Sequence, residues 1–346
     1  MSLARQWIQR CETAHPSCQN DRVTNFIPSR VIDVGERKIF HSLVKPKLRA
    51  RKDVPFGSNY LTLSHCWGGT VPMRLMAGNM HSLMEHIPFD QLPKTFQDAI
   101  IVTQNLGMRY IWIDSLCIIQ DDNQDWQQEA ALMADVYKHS TCNLTAAEAV
   151  NSSSGLFLDH NPILTKPVKA SFVTGSQGVV LHDFWPEGIL QAFEASPLMT
   201  RGWVVQERIL SRRNLHFSRD QVVWECRSDS TCETFPDGAP FKEIPRALKH
   251  RFARVVYGGD QGPQSHTEVW NVLVSEYTRC KLSFASDKLI AFGGIASAFS
   301  GPLGRHYVAG MWLDNLAYQL CWVGKRRAGQ SYTAPSWSWA STEGPV

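Results

Sequence analysis

This chain has no long apolar run, little net charge and no regularly paired cysteines, and each absence removes a class of protein. No stretch approaches the roughly 18 to 20 apolar residues that span a bilayer, so no membrane partner is expected. A formal net charge of +3 over 346 residues is too small to imply nucleic acid as a partner. The amino-terminal MSLARQWIQRCETAHPSC lacks the apolar core of a signal peptide. The nine cysteines are odd in number and form no C-x-x-C pair. Free thiols in a reducing cytoplasm are therefore expected rather than a disulfide framework. Internal repeats and low-complexity tracts are missing too. What remains, 43% hydrophobic and 19% charged residues, is the composition of an ordinary globular protein. Its length suits one large domain or two smaller ones.

The most informative stretch runs from Arg109 to Ala147. Tyr110 to Asp114 is apolar on both alternating faces until its last residue, as suits a strand buried in a parallel sheet. The polar loop Gln120 to Gln124 follows. Asp125 is expected to cap a helix, with Gln128 completing a capping box. Trp126, Ala130, Met133 and Tyr137 form one apolar stripe along that helix, while Glu129 is expected to face solvent or a partner. Cys142 to Thr145 reads as the next strand. Upstream, Tyr60 to Ser64 is a clean strand running into His65-Cys66-Trp67-Gly68-Gly69. A helix bearing Phe96, Ala99, Ile100, Thr103 and Leu106 then ends at Gly107. Residues 60 to 147 thus alternate strand and helix, the pattern of a doubly wound α/β sheet. Ligands of such sheets bind beyond the carboxyl ends of the strands.

An irregular insertion is expected over about 148–198, with strands near Val168–Val173 and Val179–Leu181. The helix from Arg201 to Leu210, with Thr200 as its cap, places Trp203 and Glu207 on one face. Leu215–Phe217 and Val222–Cys226 read as strands. Residues 227 to 265 read as surface loops, and Val308 to Val323 as a helix. The domain reading is an amino-terminal segment over 1–55, a core domain over 56–226, and a mainly helical extension over 227–346. The spacing C-x3-H-x2-C at Cys11, His15 and Cys18 offers three soft ligands. A structural zinc normally takes four, and no fourth lies nearby in sequence, so buried thiols and no metal are expected. His65 and Cys66 are adjacent and point to opposite faces, which argues against a Cys66 nucleophile.

Three ordered blocks carry a family resemblance: YLTLSHCWG at Tyr60–Gly68, YIWIDSLCIIQ at Tyr110–Gln120 and RGWVVQE at Arg201–Glu207. They resemble the signature blocks of the fungal HET (heterokaryon incompatibility) domain, as do the LPKTFQDAI, DWQQEAALMADVY and APSWSWAS segments. His65-Cys66 and Ile118-Ile119 depart mildly from that pattern. The resemblance implies a cytoplasmic fungal protein of non-self recognition and regulated cell death. The HET domain is in turn remotely similar to Toll/interleukin-1 receptor (TIR) domains, several of which hydrolyse NAD. The implied fold is TIR-like (flavodoxin-like): a doubly wound, mostly parallel sheet with a large insertion and a helical carboxyl-terminal extension.

By that resemblance Glu207, in a W-x-x-x-E pattern with Trp203, is the catalytic carboxylate. Ser64, Trp67, Gly68, Asp114, Arg201 and Trp203 are expected to line the site, with NAD or NADP as substrate and no cofactor. A homo-oligomer is implied for the active state, with a protein trigger allowed. The chemistry suits a single carboxylate. Nicotinamide leaves NAD as a neutral group, so no general acid is needed, in contrast to ordinary glycosides. What remains is electrostatic stabilisation of an oxocarbenium-like ribosyl centre. Two other readings stay open. In one, Glu207 is spent on an ion pair with Arg201, Arg208 or Arg212, leaving a non-enzymatic death-signalling module that self-associates. Cysteine hydrolase chemistry through Cys66 is the third.

Overall fold

The computed structural model of the chain describes residues 1–19, 26–35, 45–69, 73–161, 165, 168–173, 179–184, 194–238, 248–258, 263–300, 302–304, 306–324 and 332–346. In chain order, helix α1 spans Ser2–Ala14, followed by strands β1 (Arg30–Asp33), β2 (Lys47–Ala50) and β3 (Tyr60–Ser64). Next come α2 (Met80–Glu85), α3 (Lys94–Asn105), β4 (Tyr110–Trp112), α4 (Asp114–Cys117), α5 (Asn123–His139) and β5 (Cys142–Thr145). The hairpin β6 (Val168–Val173) and β7 (Val179–Phe184) precedes α6 (Gly202–Leu210). Strands β8 (Arg213–Phe217), β9 (Val222–Cys226) and β10 (Ser230–Cys232) follow. Three helices come next: α7 (Leu248–Tyr257), α8 (Pro263–Arg279) and α9 (Ile290–Phe299). The short hairpin β11 (Tyr307–Val308) and β12 (Met311–Trp312), helix α10 (Leu316–Gln319) and a single 3-10 turn at Trp339–Ser341 follow.

One eight-stranded sheet, ordered β10-β9-β8-β5-β3-β4-β1-β2, runs through the molecule. Its four central strands, β8-β5-β3-β4, are mutually parallel. The flanking strands are all antiparallel to their neighbours. In chain order the central strands therefore lie 2-1-3-4. The chain leaves β3 toward one edge and returns to its other side at β5, so the order reverses between those two strands. Every residue of β3, β4 and β5 is buried, as continuous apolar runs in a parallel sheet require. No helix among the described residues is long and apolar enough to cross a membrane.

Several local expectations change for identifiable reasons. Asp122, not Asp125, caps α5, its carboxylate accepting from the Gln124 and Asp125 amides. Asp125 is drawn away by Arg30, whose guanidinium donates to both of its oxygens at 2.6 and 2.7 Å. Glu129 does not face solvent: it is 3% exposed and lies 3.6 Å from Arg30, and burial raises its pKa. Arg201 replaces Thr200 as the residue before α6, because the Thr200 hydroxyl bonds back to Pro197. Residues 227 to 265 are not all surface loop; β10 and α7 lie within them, while 239–247 and 259–262 fall outside the described residues. The helix expected over Val308 to Val323 is broken by Ala309 and Gly310, both at positive φ. Two such residues in succession make a hairpin turn rather than a helix.

The carboxyl-terminal part builds a second core. Trp270 meets Phe292, Phe299 and Trp312 edge-on at 5.3 to 5.5 Å. Trp339 of the terminal tryptophan block donates to the Gly310 carbonyl at 2.7 Å. This core presses α9 against α5 and α6. The contact is close because Gly294 has no side chain: a Cβ there falls 2.4 Å from the Ala134 Cβ. The Gly294 amide also donates to Gln206 on α6 at 2.8 Å. Helix α6 is thus held in place from both sides, and it is the helix that carries Glu207.

Candidate functional site

A cavity of about 220 Å³ opens beyond the carboxyl ends of β3 and β4. Strand β3 ends at Ser64 and hands the chain to His65 and Trp67, while β4 leads directly to Asp114 at the start of α4. One wall comes from α5, through Trp126, Ala130, Met133 and Tyr137, the whole apolar stripe of that helix. Another comes from Arg201, just before α6, and from Trp203 and Glu207 on that helix. Of the residues expected at the site, Trp67, Asp114, Arg201, Trp203 and Glu207 line this one cavity.

Glu207 is 7% exposed, and its carboxylate accepts a hydrogen bond from the Ser64 hydroxyl at the tip of β3. Burial pushes its pKa up from 4.5 to about 7; the Ser64 hydrogen bond and the Arg201 charge only partly oppose that rise. The alternative ion pair does not form at Arg208. That guanidinium turns the other way and makes a two-pronged contact with Glu225, at 2.8 and 2.9 Å. The Arg201 guanidinium donates to the His65 carbonyl, which fixes its cation beside the cavity. Asp114 accepts from the Trp67 indole at 2.7 Å, so the two form a braced pair. The Trp203 indole donates to Asp287 at 3.3 Å.

Ser64 contributes through Glu207 rather than as cavity wall. Gly68 does not line the cavity either. Its φ of +72° and a hypothetical Cβ only 2.4 Å from the Asn151 Cβ show what the glycine is for. It lets the loop after β3 pass against the chain at Asn151. Gly68→Ala is expected to cost about 1–3 kcal/mol of stability through strain and overpacking. Thermal unfolding of the variant against the parent measures this directly.

Cys66 is a poor nucleophile here, because burial raises its thiol pKa above the ordinary value. His65 is buried edge-on against Phe96 at 4.9 Å. Burial lowers its pKa, against the opposing charge of Asp114. Its Nδ1 lies 3.7 Å from Asp114, and its Nε2 has no hydrogen-bond partner among the described residues.

Residues 60–207 match the family model for heterokaryon incompatibility protein (HET). The chain carries a HET domain. No curated protein and no solved structure matches the chain. The HET match begins at the first residue of β3 and ends at Glu207 itself, so it takes in most of the cavity wall. It does not take in all of it. Ser283, Phe284 and Asp287 complete the cavity from outside the HET domain. They are delivered by a short stitched segment, in which Gly202 donates to the Lys281 carbonyl and Lys281 donates to the Thr200 carbonyl. These three residues carry no sequence signal, because only the folded chain brings them beside α6.

Behind the HET cavity runs a buried polar network that sequence reasoning also missed. Asn143 bridges Ser64 and Asn214, and Asn214 donates to Glu225. His216 stands between Thr145, at 2.5 Å, and Glu225, at 3.3 Å. Burial alone would raise the Glu225 pKa, but Arg208 and His216 outweigh it and hold the carboxyl well below its usual range. The Thr145-His216-Glu225 chain has the order of a hydrolase triad, yet all three are buried and none lines the cavity. Its effect is to tie the ends of β3, β5, β8 and β9 together beneath Glu207.

Proposed function

We propose that this HET domain protein is a cytoplasmic effector of fungal non-self recognition and cell death that hydrolyses the nicotinamide–ribose bond of NAD or NADP. The observation that supports this most directly is Glu207: a buried carboxylate held by Ser64 and set beside the Arg201 cation, in a cavity that Asp114 and Asp287 also line and that Trp67, Trp126, Trp203 and Tyr137 wall. The 2-1-3-4 order of the central strands agrees with a flavodoxin-like, TIR-like plan, in which ligands sit where the strand order reverses. Ser64, the hydrogen-bond partner of Glu207, ends a strand at that point.

In this reading the C1′–N bond breaks and its electron pair passes to the pyridine nitrogen, so nicotinamide leaves neutral. Ionised Glu207 stabilises the ribosyl cation that remains. Water adds to C1′ and gives up a proton, yielding ADP-ribose. The aromatic walls suit a cationic pyridinium ring. About 220 Å³ is less than the roughly 300–1,000 Å³ of pockets that enclose a whole drug-sized ligand. The cavity is therefore sized for the nicotinamide-riboside end, with the pyrophosphate outside it on the Arg201 side.

Incubation of the purified chain with NAD, followed by quantification of nicotinamide, tests the reading. Release is expected, with kcat/KM rising with pH through about 7 as Glu207 ionises. If no nicotinamide appears at any protein concentration or pH, the enzymatic reading fails. A module that signals by self-association then takes its place.

A further inference from the structure

Cys11, His15, Cys18 and Cys226 bring one potential ligand atom each to within 4.8 Å of one another. We propose that these four side chains bind one structural Zn²⁺ ion, clasping the amino-terminal helix to the sheet. The sequence offers only the first three, at C-x3-H-x2-C spacing; the fourth comes from the last residue of β9, more than two hundred positions later.

The local chain geometry converges on a single point. Cys11 lies on the buried face of α1, which ends at Ala14. His15 is extended, and a tight turn over Pro16–Cys18 folds Cys18 back toward Cys11, with the Cys18 amide donating to the His15 carbonyl at 3.0 Å. The Nδ1 of His15 lies 3.3 Å from the Cys226 sulfur. A tetrahedral site with Zn–S bonds of about 2.3 Å has sulfur–sulfur edges of about 3.8 Å, so the cluster has the dimensions that zinc requires. Three thiols and one imidazole form one of the common structural zinc sets.

The surroundings also suit a metal thiolate. The Cys226 sulfur accepts from the amides of Ser228 and Asp229, at 3.4 and 3.2 Å. The Cys11 sulfur accepts from Nε of Arg213 at 3.0 Å, and Arg213 is only 1% exposed. On binding, the three thiols lose their protons to solvent, and the Zn²⁺(Cys⁻)₃(His) unit carries one net negative charge. The Arg213 guanidinium is placed to balance it. Such outer partners commonly orient and tune metal ligands.

Metal analysis of the full chain, purified and desalted without chelator, is expected to give one zinc per chain. Replacing it with Co²⁺ is expected to give the intense visible absorption of a tetrahedral thiolate site. Cys226→Ala and Cys11→Ala should each lose that absorption. A chain that takes up neither Zn²⁺ nor Co²⁺ overturns the proposal, as does uptake unchanged in both variants. Should those variants fail to fold, alkylation mapping of the parent chain decides the matter. Chelation is expected to expose Cys11, Cys18 and Cys226 together to iodoacetamide. Labelling of the three that chelation leaves unchanged, or a disulfide among them, also overturns it. None of these readouts depends on NAD cleavage.

Discussion

Glu207→Gln is expected to abolish nicotinamide release while making the protein more stable above neutral pH. The loss follows from charge. An amide keeps the shape and the hydrogen bond to Ser64 but cannot stabilise a ribosyl cation. Removal of a single preorganised electrostatic group of this kind costs on the order of 100-fold or more in rate. The gain in stability follows from linkage. Burial raises the Glu207 pKa from 4.5 to about 7 in the folded chain, so folding favours the protonated form. Below about pH 4.5 both folded and unfolded chains hold the proton, and the substitution changes little. As pH rises through 7 the folded protein must keep an anion that the unfolded chain keeps at lower cost. The penalty above pH 7 amounts to about 3 kcal/mol, and glutamine removes it. Melting curves of parent and variant should therefore coincide near pH 4.5 and separate by several degrees at pH 8. An activity loss accompanied by a fall in stability at pH 8 would instead make Glu207 a structural residue.

The opposite behaviour is expected of Glu225, the second buried carboxylate of the same region. Glu225→Gln removes the carboxylate that Arg208 grips with two nitrogens and that Asn214 and His216 also contact. Breaking a buried pair of this kind by removing one partner costs about 3–5 kcal/mol. The sign of the pH dependence is reversed as well. The Glu225 pKa is depressed in the folded state, so its contribution is fully present above the unfolded carboxylate pKa and is lost as pH falls through the folded value. Chemical denaturation of the variant at pH 7 should show the full loss. Parent and variant should converge under acid conditions, where Glu225 takes up its proton.

The sequence revealed the elements whose apolar pattern is strong. The three buried parallel strands and the helices between them follow from runs such as Tyr110 to Ile113 and from the stripe of Trp126, Ala130, Met133 and Tyr137. Five of the seven expected site residues share one cavity, because they lie just beyond the carboxyl ends of β3 and β4 or at and along α6, the end of a parallel sheet where ligands bind. What was illegible depends on contacts distant in the chain. Asp125 has the right identity and position to cap α5, but Arg30 outbids the helix for its carboxylate. Glu129 looks like a solvent-facing charge until the same arginine buries it. Cys226 has no local spacing to mark it, since its partners lie near the other end of the chain. Ala309 and Gly310 sit within an apolar-periodic stretch, and only their backbone conformation reveals the hairpin.

The stitched segment around Lys281 has a practical consequence for how this protein can be divided. A fragment cut to the matched boundaries, 60–207, would lack β8, the fourth parallel strand, would cut α6 short after Glu207 and would remove the helix α9 that packs against it. It would also open one side of the cleft by discarding Phe284 and Asp287. The recognisable domain is therefore not self-sufficient, and a fragment of that length that proved inert would say nothing about the intact chain.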